Sequence, residues 1–334
     1  PICSGDRFAD RLVSTGSHGS GPVLVSVATD GETYGHHHKF GEMALAYALR
    51  VIEDNPDIKL TVFGEYLEMH PPVDEVQIIE NTSWSCVHGI GRWKEDCGCH
   101  SGSHPSWSQA WRKPLREGLD LLRDRVGSIF EEILEQKGLS PWSTRDRYIQ
   151  VILNRDEEVI EQFFLDLSGR SFQSDERVEI LKALEMQHQA MLMFTSCGWF
   201  FDDISGIEAM QILRYASQAM EYAKDLSSRA PEEEFLNILE EARSNDPRFV
   251  NGKEIFLDHI DDHAFGLESV AAHFGVMSLF EDHIDKIPSY CYEIRPLEMK
   301  CLGTGPYRLC YGRLRIYSEI TLEEGLFSFS SIGL

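Results

Sequence analysis

The sequence predicts an α/β portion that ends a parallel sheet or barrel, followed by a helical bundle and a small antiparallel β unit. Three observations support this prediction. Strand-like and helical segments alternate over residues 23–80, as they do in parallel α/β folds. Apolar residues recur at helical spacing over 114–285. Over 288–334 they alternate with period two, which is typical of antiparallel strands.

The α/β portion follows a Gly/Ser-rich stretch, residues 1–22, which we expect to form a loop. The valine-rich run 23–28 predicts a buried parallel strand. Two amphipathic segments predict helices, and a short apolar run predicts a further strand: 39–53, 58–69 and 76–79.

Residues 81–113 predict an irregular segment that is rich in tryptophan. Long loops inside compact domains are usually functional or disordered, and so many large aromatic residues disfavour disorder. The tryptophans are Trp84, Trp93, Trp107 and Trp111. We therefore divide the chain into a barrel portion with a Trp-rich loop, a helical bundle and a small β unit: 1–113, 114–287 and 288–334.

The net charge of -24 restricts the partners of the chain. Nucleic acid and anionic membrane surfaces are disfavoured because they carry the same sign of charge, whereas a neutral sugar is compatible. No window is long and apolar enough to span a bilayer. The scattered cysteines fit reduced thiols in a cytoplasm, with Cys291, Cys301 and Cys310 as core or edge thiols. Both ends of the chain look cut, which predicts a fragment of a longer protein.

Asp30 and Glu32 are the most informative candidate residues because they directly follow the predicted strand 23–28. Barrels and open α/β sheets build active sites at the carboxyl ends of their strands. A carboxylate in a partly desolvated cleft can titrate near neutrality and transfer protons. Gly31 and Gly35 permit a tight turn there. The alternative is that the two carboxylates cap the next helix.

Three adjacent histidines, His36-His37-His38, follow this turn. On a loop, two of them could join Asp30 around a divalent metal ion, as in metal-dependent deacetylases. The alternative is that the histidines line a polar cleft or cap the following helix. We expect His37 to be a polar residue of the cleft.

Cys86, Cys97, Cys99 and His100 offer four further ligands of the kinds that zinc prefers. They predict a structural site that would hold the Trp-rich loop together. Because C-x-C-H is not a common zinc-finger spacing, free thiols and a local disulfide are the alternatives. We expect no cofactor and no resident metal ion.

Trp199 and Asp202 lie in an aromatic and acidic run, residues 195–208. Aromatic rings stack on pyranose C–H faces and carboxylates accept hydroxyl protons, so the run is a candidate sugar site. The alternative is a hydrophobic corner with a double-aspartate cap. Phosphate-binding glycine loops and a G-x-S-x-G motif are absent from the sequence, which disfavours kinases, dehydrogenases and esterases.

The run Thr29-Asp30-Gly31-Glu32-Thr33-Tyr34-Gly35 resembles the fourth motif of glycoside hydrolase family 57. That family includes α-amylases, 4-α-glucanotransferases and branching enzymes. The resemblance implies that Asp30 is the general acid/base and Glu32 a substrate-binding residue. Ser83-Trp84 is similar to the family's segment around an active-site tryptophan, and residues 197–207 loosely resemble its helical motif. The chain looks closest to the branch that carries domain of unknown function 3536.

The chain departs from the family pattern in two places. His36-His37-His38 replace an expected aromatic residue, so the family's substrate range is not carried over. The family's nucleophilic glutamate lies upstream of this motif, whereas the residues before Asp30 contain no glutamate. The resemblance therefore implies a nucleophile outside this chain, and we expect the chain alone to be inactive.

We thus expect the C-terminal part of an incomplete (β/α) barrel, a helical bundle over its carboxyl face and a small antiparallel β unit. The expected function is retaining hydrolysis or transfer of α-glucan linkages in the cytoplasm, with an oligo- or polysaccharide as the partner. Asp30 would be catalytic, and the sugar contacts would be Glu32, His37, Trp84, Trp199 and Asp202. A metal-dependent polysaccharide deacetylase and a non-catalytic glycan-binding subunit are the alternatives.

Overall fold

A computed structural model of the chain describes residues 4–16, 21–227, 229, 231–260, 266–281, 290–304 and 307–333. The chain divides into two compact units, Pro1–Ile79 and Glu80–Leu334. Within the described residues, regular structure consists of eleven α-helices, two short 3₁₀ turns and one three-stranded sheet. The helical bundle and the antiparallel β unit that the sequence predicts are therefore both present.

The first unit contains three helices, α1 (Gly5–Gly16), α2 (Gly41–Glu53) and α3 (Phe63–Met69). The predicted helix over 39–53 is confirmed as α2, and the helix predicted over 58–69 is shorter than expected. Helix α1 corrects the loop expected near the start of the chain. It forms because Phe8 and Ala9 make an apolar face that packs against Ala48 of α2.

The strands predicted over 23–28 and 76–79 are not formed. The structure describes every residue from 21 to 80 and shows no strand there. Val23, Val27 and Val76 are exposed rather than buried. A buried parallel strand needs hydrogen-bonded neighbours, and the described residues of this unit supply none. The barrel portion of the predicted fold is therefore not confirmed.

The Trp-rich residues 80–113 belong to the second unit, whereas the sequence analysis grouped them with the α/β portion. The structure describes every residue of this segment. Its regular structure consists of the 3₁₀ turn Gly91–Trp93 and the first residues of the following helix. The indole of Trp93 donates a hydrogen bond to Ser196 O at 2.9 Å. Trp111 is fully buried and begins the core of the bundle. These contacts tie the segment to the helices that follow it.

Seven of the eight described helices of the second unit share one hydrophobic core, and the last helix packs against the sheet instead. Their bounds are α4 (Arg112–Gln136), α5 (Pro141–Leu153), α6 (Glu157–Ser168), α7 (Ser174–Leu192), α8 (Ile207–Leu226), α9 (Glu232–Leu239), α10 (Gly252–His259) and α11 (Leu267–Met277). Leu115, Leu119, Leu122 and Val126 are buried along one face of α4, which confirms the predicted stripe. Helix α4 packs against α7, α8 and α9. None of the described helices has the length and apolar character that crossing a bilayer would require.

The sheet consists of β1 (Tyr292–Thr304), β2 (Tyr307–Ser318) and β3 (Glu324–Gly333), antiparallel and in that order. Leu314 and Ile316 of β2 pack with Phe274 of α11 in a small second core. The period-two alternation is thus confirmed as antiparallel sheet, with one face of the central strand buried against a helix.

Cys301 and Cys310 form a disulfide, which corrects the expectation that both are reduced thiols. The two residues lie directly opposite each other in the register of β1 and β2, with Cα atoms 4.2 Å apart. The pairing depends on this register, which the spacing of cysteines in the sequence does not show. Cys291 remains a free thiol, as expected.

Candidate functional site

Asp30 lies at the start of a tight, hydrogen-bonded loop in the first unit. Thr33 N donates to Asp30 O and His37 N donates to Glu32 O, both at 3.0 Å. Gly35 has a φ of 103°, a left-handed conformation that favours glycine. The Asp30 side chain is exposed and follows no strand. The partly desolvated cleft predicted for this carboxylate is therefore not formed by the described residues of the first unit.

Glu32 and His36 are joined by a side-chain hydrogen bond on the outside of this loop. The hydrogen bond to His36, followed by the attraction of its charge, holds the pKa of the Glu32 carboxyl below its ordinary value. The rings of His36 and His37 stack with their centroids 5.0 Å apart. Ligand atoms of Glu32, His36 and His37 lie within 4.8 Å of one another. The loop thus assembles Glu32 with two histidines, instead of the predicted set that included Asp30.

The two predicted sugar-binding tryptophans have opposite environments in the second unit. Trp84 is 82% exposed, with its ring 6.4 Å from that of Phe200. Trp199 is 1% exposed, stacks on Phe194 and donates its indole N–H to Arg112 O at 3.4 Å. This burial corrects the prediction that Trp199 contacts sugar, because neither face of its ring is open to a ligand.

Asp202 and its neighbour Asp203 hold loops together. Asp202 accepts hydrogen bonds from the backbone N–H of Ser101 at 2.7 Å and from its hydroxyl at 2.6 Å. Burial raises the pKa of Asp202, but the Ser101 hydrogen bonds outweigh burial, and the net pKa is below the ordinary value. Asp203 accepts from Ser244 Oγ and Asn245 N. No side chain of the described residues caps the start of α8, so the alternative of a double-aspartate cap is not formed. Asp202 is 5% exposed and its carboxylate is taken by Ser101, which corrects the prediction that it contacts sugar.

Cys86, His88, Cys97 and Cys99 converge in the Trp-rich segment, with ligand atoms within 4.8 Å of one another. Cys86 Sγ lies 3.8 Å from the sulfur of Cys97 and 3.8 Å from that of Cys99. His88 Nδ1 lies 3.6 Å from Cys99 Sγ. His100, the predicted fourth member, instead accepts a backbone N–H from residue 102 at 3.0 Å. The three predicted cysteines thus come together, but the histidine that joins them is His88 and not the predicted His100.

The thiols of this cluster differ in their acidity. Burial raises the pKa of Cys86, but hydrogen bonds from the backbone N–H groups of Arg92 and His88, with contacts to Cys99, bring it to about 6. Burial raises the pKa of Cys97. The surroundings therefore favour a thiolate at Cys86 near neutral pH.

Two buried arginines, which the sequence analysis did not single out, hold the backbone on both sides of the cluster. Arg112 is fully buried and donates to Cys99 O at 2.8 Å. Arg92 is 5% exposed and donates to Ser85 O at 3.2 Å and to Phe200 O at 2.7 Å. Burial and the nearby charge of Arg92 lower the pKa of Arg112, while Cys97 and the acidic groups oppose this shift. A buried guanidinium that donates mainly to carbonyl groups holds the backbone in place. Arg92 does so next to Cys86, and Arg112 does so at Cys99.

Two cavities of the second unit lie along the junction of the bundle and the sheet. One, of about 560 Å³, is lined by Arg155, Glu161, Phe172, Arg177 and Tyr317, among others. The other, of about 460 Å³, is lined by Lys182, Tyr222, Asp225, Tyr292 and Glu323, among others. Their charged groups pair with one another, as Lys182 does with Asp225 and Glu323. Neither cavity includes Trp84 or the Cys/His cluster.

A family sequence model described as "Domain of unknown function (DUF3536)" matches residues 107–334. The chain belongs to the DUF3536 family. No curated protein and no solved structure matches the chain. The DUF3536 match covers the helices from α4 onward and the whole sheet, and it includes the two buried residues Trp199 and Asp202. The exposed candidates Asp30, Glu32 and Trp84, together with the Cys/His cluster, lie before it.

Proposed function

We propose that this chain is part of a cytoplasmic carbohydrate-active protein that hydrolyses or transfers α-glucan linkages with retention of configuration. The supporting observation is the motif at residues 29–35, which resembles the acid/base motif of glycoside hydrolase family 57. Its loop is closed by backbone hydrogen bonds and leaves the carboxylates of Asp30 and Glu32 exposed. The cytoplasmic location rests on the five cysteines that are free among the described residues, with the Cys301–Cys310 pair as the exception.

In this proposal, Asp30 protonates the leaving glycosidic oxygen and later deprotonates the incoming water or sugar hydroxyl. Retention needs a second carboxylate about 5 Å away to act as the nucleophile. In this proposal, the nucleophile lies outside these 334 residues, and so does the surface that shields Asp30 from water. Glu32 binds a sugar hydroxyl and His37 supplies a further polar contact. In the second unit, the exposed indole of Trp84 offers a stacking surface for a sugar ring.

The test is the activity of the full-length protein with Asp30→Asn. Loss of a general acid should lower turnover of a natural glucan by about 10²–10⁴-fold. The loss should be much smaller on an aryl glucoside whose leaving group needs no proton. Asp74→Asn, which changes an exposed carboxylate of the same unit, is the matched control. Equal losses on both substrates, or full activity of Asp30→Asn on glucan, would overturn the assignment.

A second candidate is a metal-dependent polysaccharide deacetylase. The grouping of Glu32, His36 and His37 within 4.8 Å favours it, since a carboxylate and two imidazoles are suitable ligands for a divalent ion. If the protein is such a deacetylase, the full-length protein should release acetate from an acetylated polysaccharide. This release should depend on added divalent metal and should be lost in His37→Ala. If the full-length protein turns over neither kind of substrate but binds glycans even as Asp30→Asn, it is a non-catalytic glycan-binding subunit.

A further inference from the structure

We propose that Cys86, His88, Cys97 and Cys99 bind one zinc ion in a closed, structural site. Tetrahedral zinc has Zn–S bonds of about 2.3 Å and Zn–N bonds of about 2.0 Å, which place ligand sulfurs about 3.8 Å apart and sulfur about 3.5 Å from nitrogen. The two sulfur pairs that involve Cys86 are each 3.8 Å apart. His88 Nδ1 is 3.6 Å from Cys99 Sγ and 3.9 Å from Cys86 Sγ. Three of these four edges therefore match a zinc tetrahedron to within about 0.1 Å, and the edge from His88 to Cys86 is about 0.4 Å longer.

The backbone of the segment is shaped to bring these donors together. Gly98, between two of the cysteines, has a φ of 75°, and Gly89, directly after His88, has a φ of 72°. Both lie in the left-handed region, where a side chain is disfavoured. A Cβ at Gly89 would also lie 2.3 Å from Asn81 O. These two turns allow the side chains of Cys86 and Cys97, which are eleven positions apart in sequence, to meet.

Hydrogen bonds to the bundle hold the segment from outside, as Asp202 does at Ser101, but its own residues pack little against one another. Among residues 80–110, all of which the structure describes, Cys86 is the single apolar side chain that is buried. Strands and α-helices are absent from these same residues. Where a segment of this length has no hydrophobic core of its own, a cross-link between its own residues helps to order it. A metal ion bound by four side chains is such a cross-link, whereas weak hydrogen bonds between thiols are not.

The surroundings of the cluster suit a metal centre with net negative charge. Three thiolates and one neutral imidazole around Zn²⁺ carry a net charge of about -1. The buried guanidinium of Arg112 donates to the carbonyl of Cys99, and that of Arg92 donates to the carbonyl next to Cys86. Such outer contacts orient the ligands of a metal and offset its charge. Because all four positions are taken by side chains, no place is left for water or substrate, and the site is structural.

Metal analysis of the intact 334-residue chain, expressed with zinc, tests the proposal. About one zinc per chain is expected, and His88→Ala should reduce it to less than about a fifth. His100→Ala is the matched control and should keep the metal, since His100 bonds to its own turn. All proteins in this experiment also carry His37→Ala. This substitution removes a ligand from the second group, Glu32, His36 and His37, which also lie close enough to hold an ion. A full complement of zinc in His88→Ala would overturn the site.

Cobalt substitution identifies the donors independently of stoichiometry. A tetrahedral Co²⁺ site with three thiolates should show thiolate-to-metal charge-transfer bands beside its visible bands. The group of Glu32, His36 and His37 has no sulfur ligand and cannot produce the charge-transfer bands. His88→Cys keeps four donors and should bind the metal with a stronger charge-transfer band, even if His88→Ala does not fold. Alkylation should modify the exposed Cys197 and spare the three ligand thiols until a chelator is added. A disulfide among Cys86, Cys97 and Cys99, or a folded His88→Cys protein that binds no cobalt, would refute the proposal.

Discussion

Glu185 of α7 is a buried charge whose removal should destabilise the second unit. Its carboxylate is 4% exposed and accepts hydrogen bonds from Tyr148 at 2.5 Å, from Arg155 at 2.6 Å and from His188 at 3.1 Å. Arg155 also donates to Ile320 O, in the turn that follows β2. The network therefore joins α5 and α7 to the β unit.

The substitution Glu185→Gln keeps the shape of the side chain and an acceptor for Tyr148, but it removes the counter-charge of Arg155. Breaking one partner of a buried pair costs about 3–5 kcal/mol, and the Arg155 side chain is 26% exposed, so we expect about 3 kcal/mol. Glu161→Gln is the matched control, because Glu161 pairs with Arg177 but is 46% exposed. An exposed pair contributes less than about 1 kcal/mol.

Urea unfolding of both variants at neutral pH measures this difference as a shift in the transition midpoint. The pH dependence adds a second test. Burial raises the pKa of Glu185, but the hydrogen bonds from His188, Tyr148 and Arg155 outweigh burial and hold it below 4.5. A depressed folded-state pKa contributes stability above the unfolded pKa and loses it as pH falls through the folded pKa. The difference between wild type and Glu185→Gln should therefore shrink below about pH 4.5. This reasoning would be refuted if Glu185→Gln lost no more free energy of unfolding than Glu161→Gln. It would also be refuted if the difference in stability between wild type and Glu185→Gln persisted in acid.

Two further predictions concern the tryptophans and the disulfide. Trp199→Ala should lower the free energy of unfolding by about 3–5 kcal/mol, because it empties a buried site, whereas Trp84→Ala should change it by less than about 0.5 kcal/mol. Equal effects in chemical denaturation would contradict the burial of Trp199. Cys301→Ser opens a loop closed across nine positions and should cost about 2.6 kcal/mol, measured as a lower melting temperature. Reductant should lower the melting temperature of the wild type but leave that of the variant unchanged, and insensitivity of the wild type would count against the bond.

The sequence alone determined the features that depend on local periodicity. The stripe of Leu115, Leu119 and Leu122 specified a helix and its buried face, because neighbours three and four positions apart share one side of a helix. The period-two alternation over 288–334 likewise specified strands, and β1, β2 and β3 are present. The Cys-rich turn also indicated that thiols would meet, since Cys97 and Cys99 are only two positions apart.

Tertiary structure decided whatever depends on partners that are distant in the chain. The run 23–28 has the composition of a buried strand, yet a strand forms only where another strand completes its hydrogen bonds, and the described residues of its unit supply none. Trp84 and Trp199 look alike in sequence, but α4 and α8 bury only the second. His88 rather than His100 joins the thiols because the left-handed turns at Gly89 and Gly98 set the direction of the chain. Composition and periodicity do not show which way the chain turns at such positions, because the turn is fixed only when separate segments pack together.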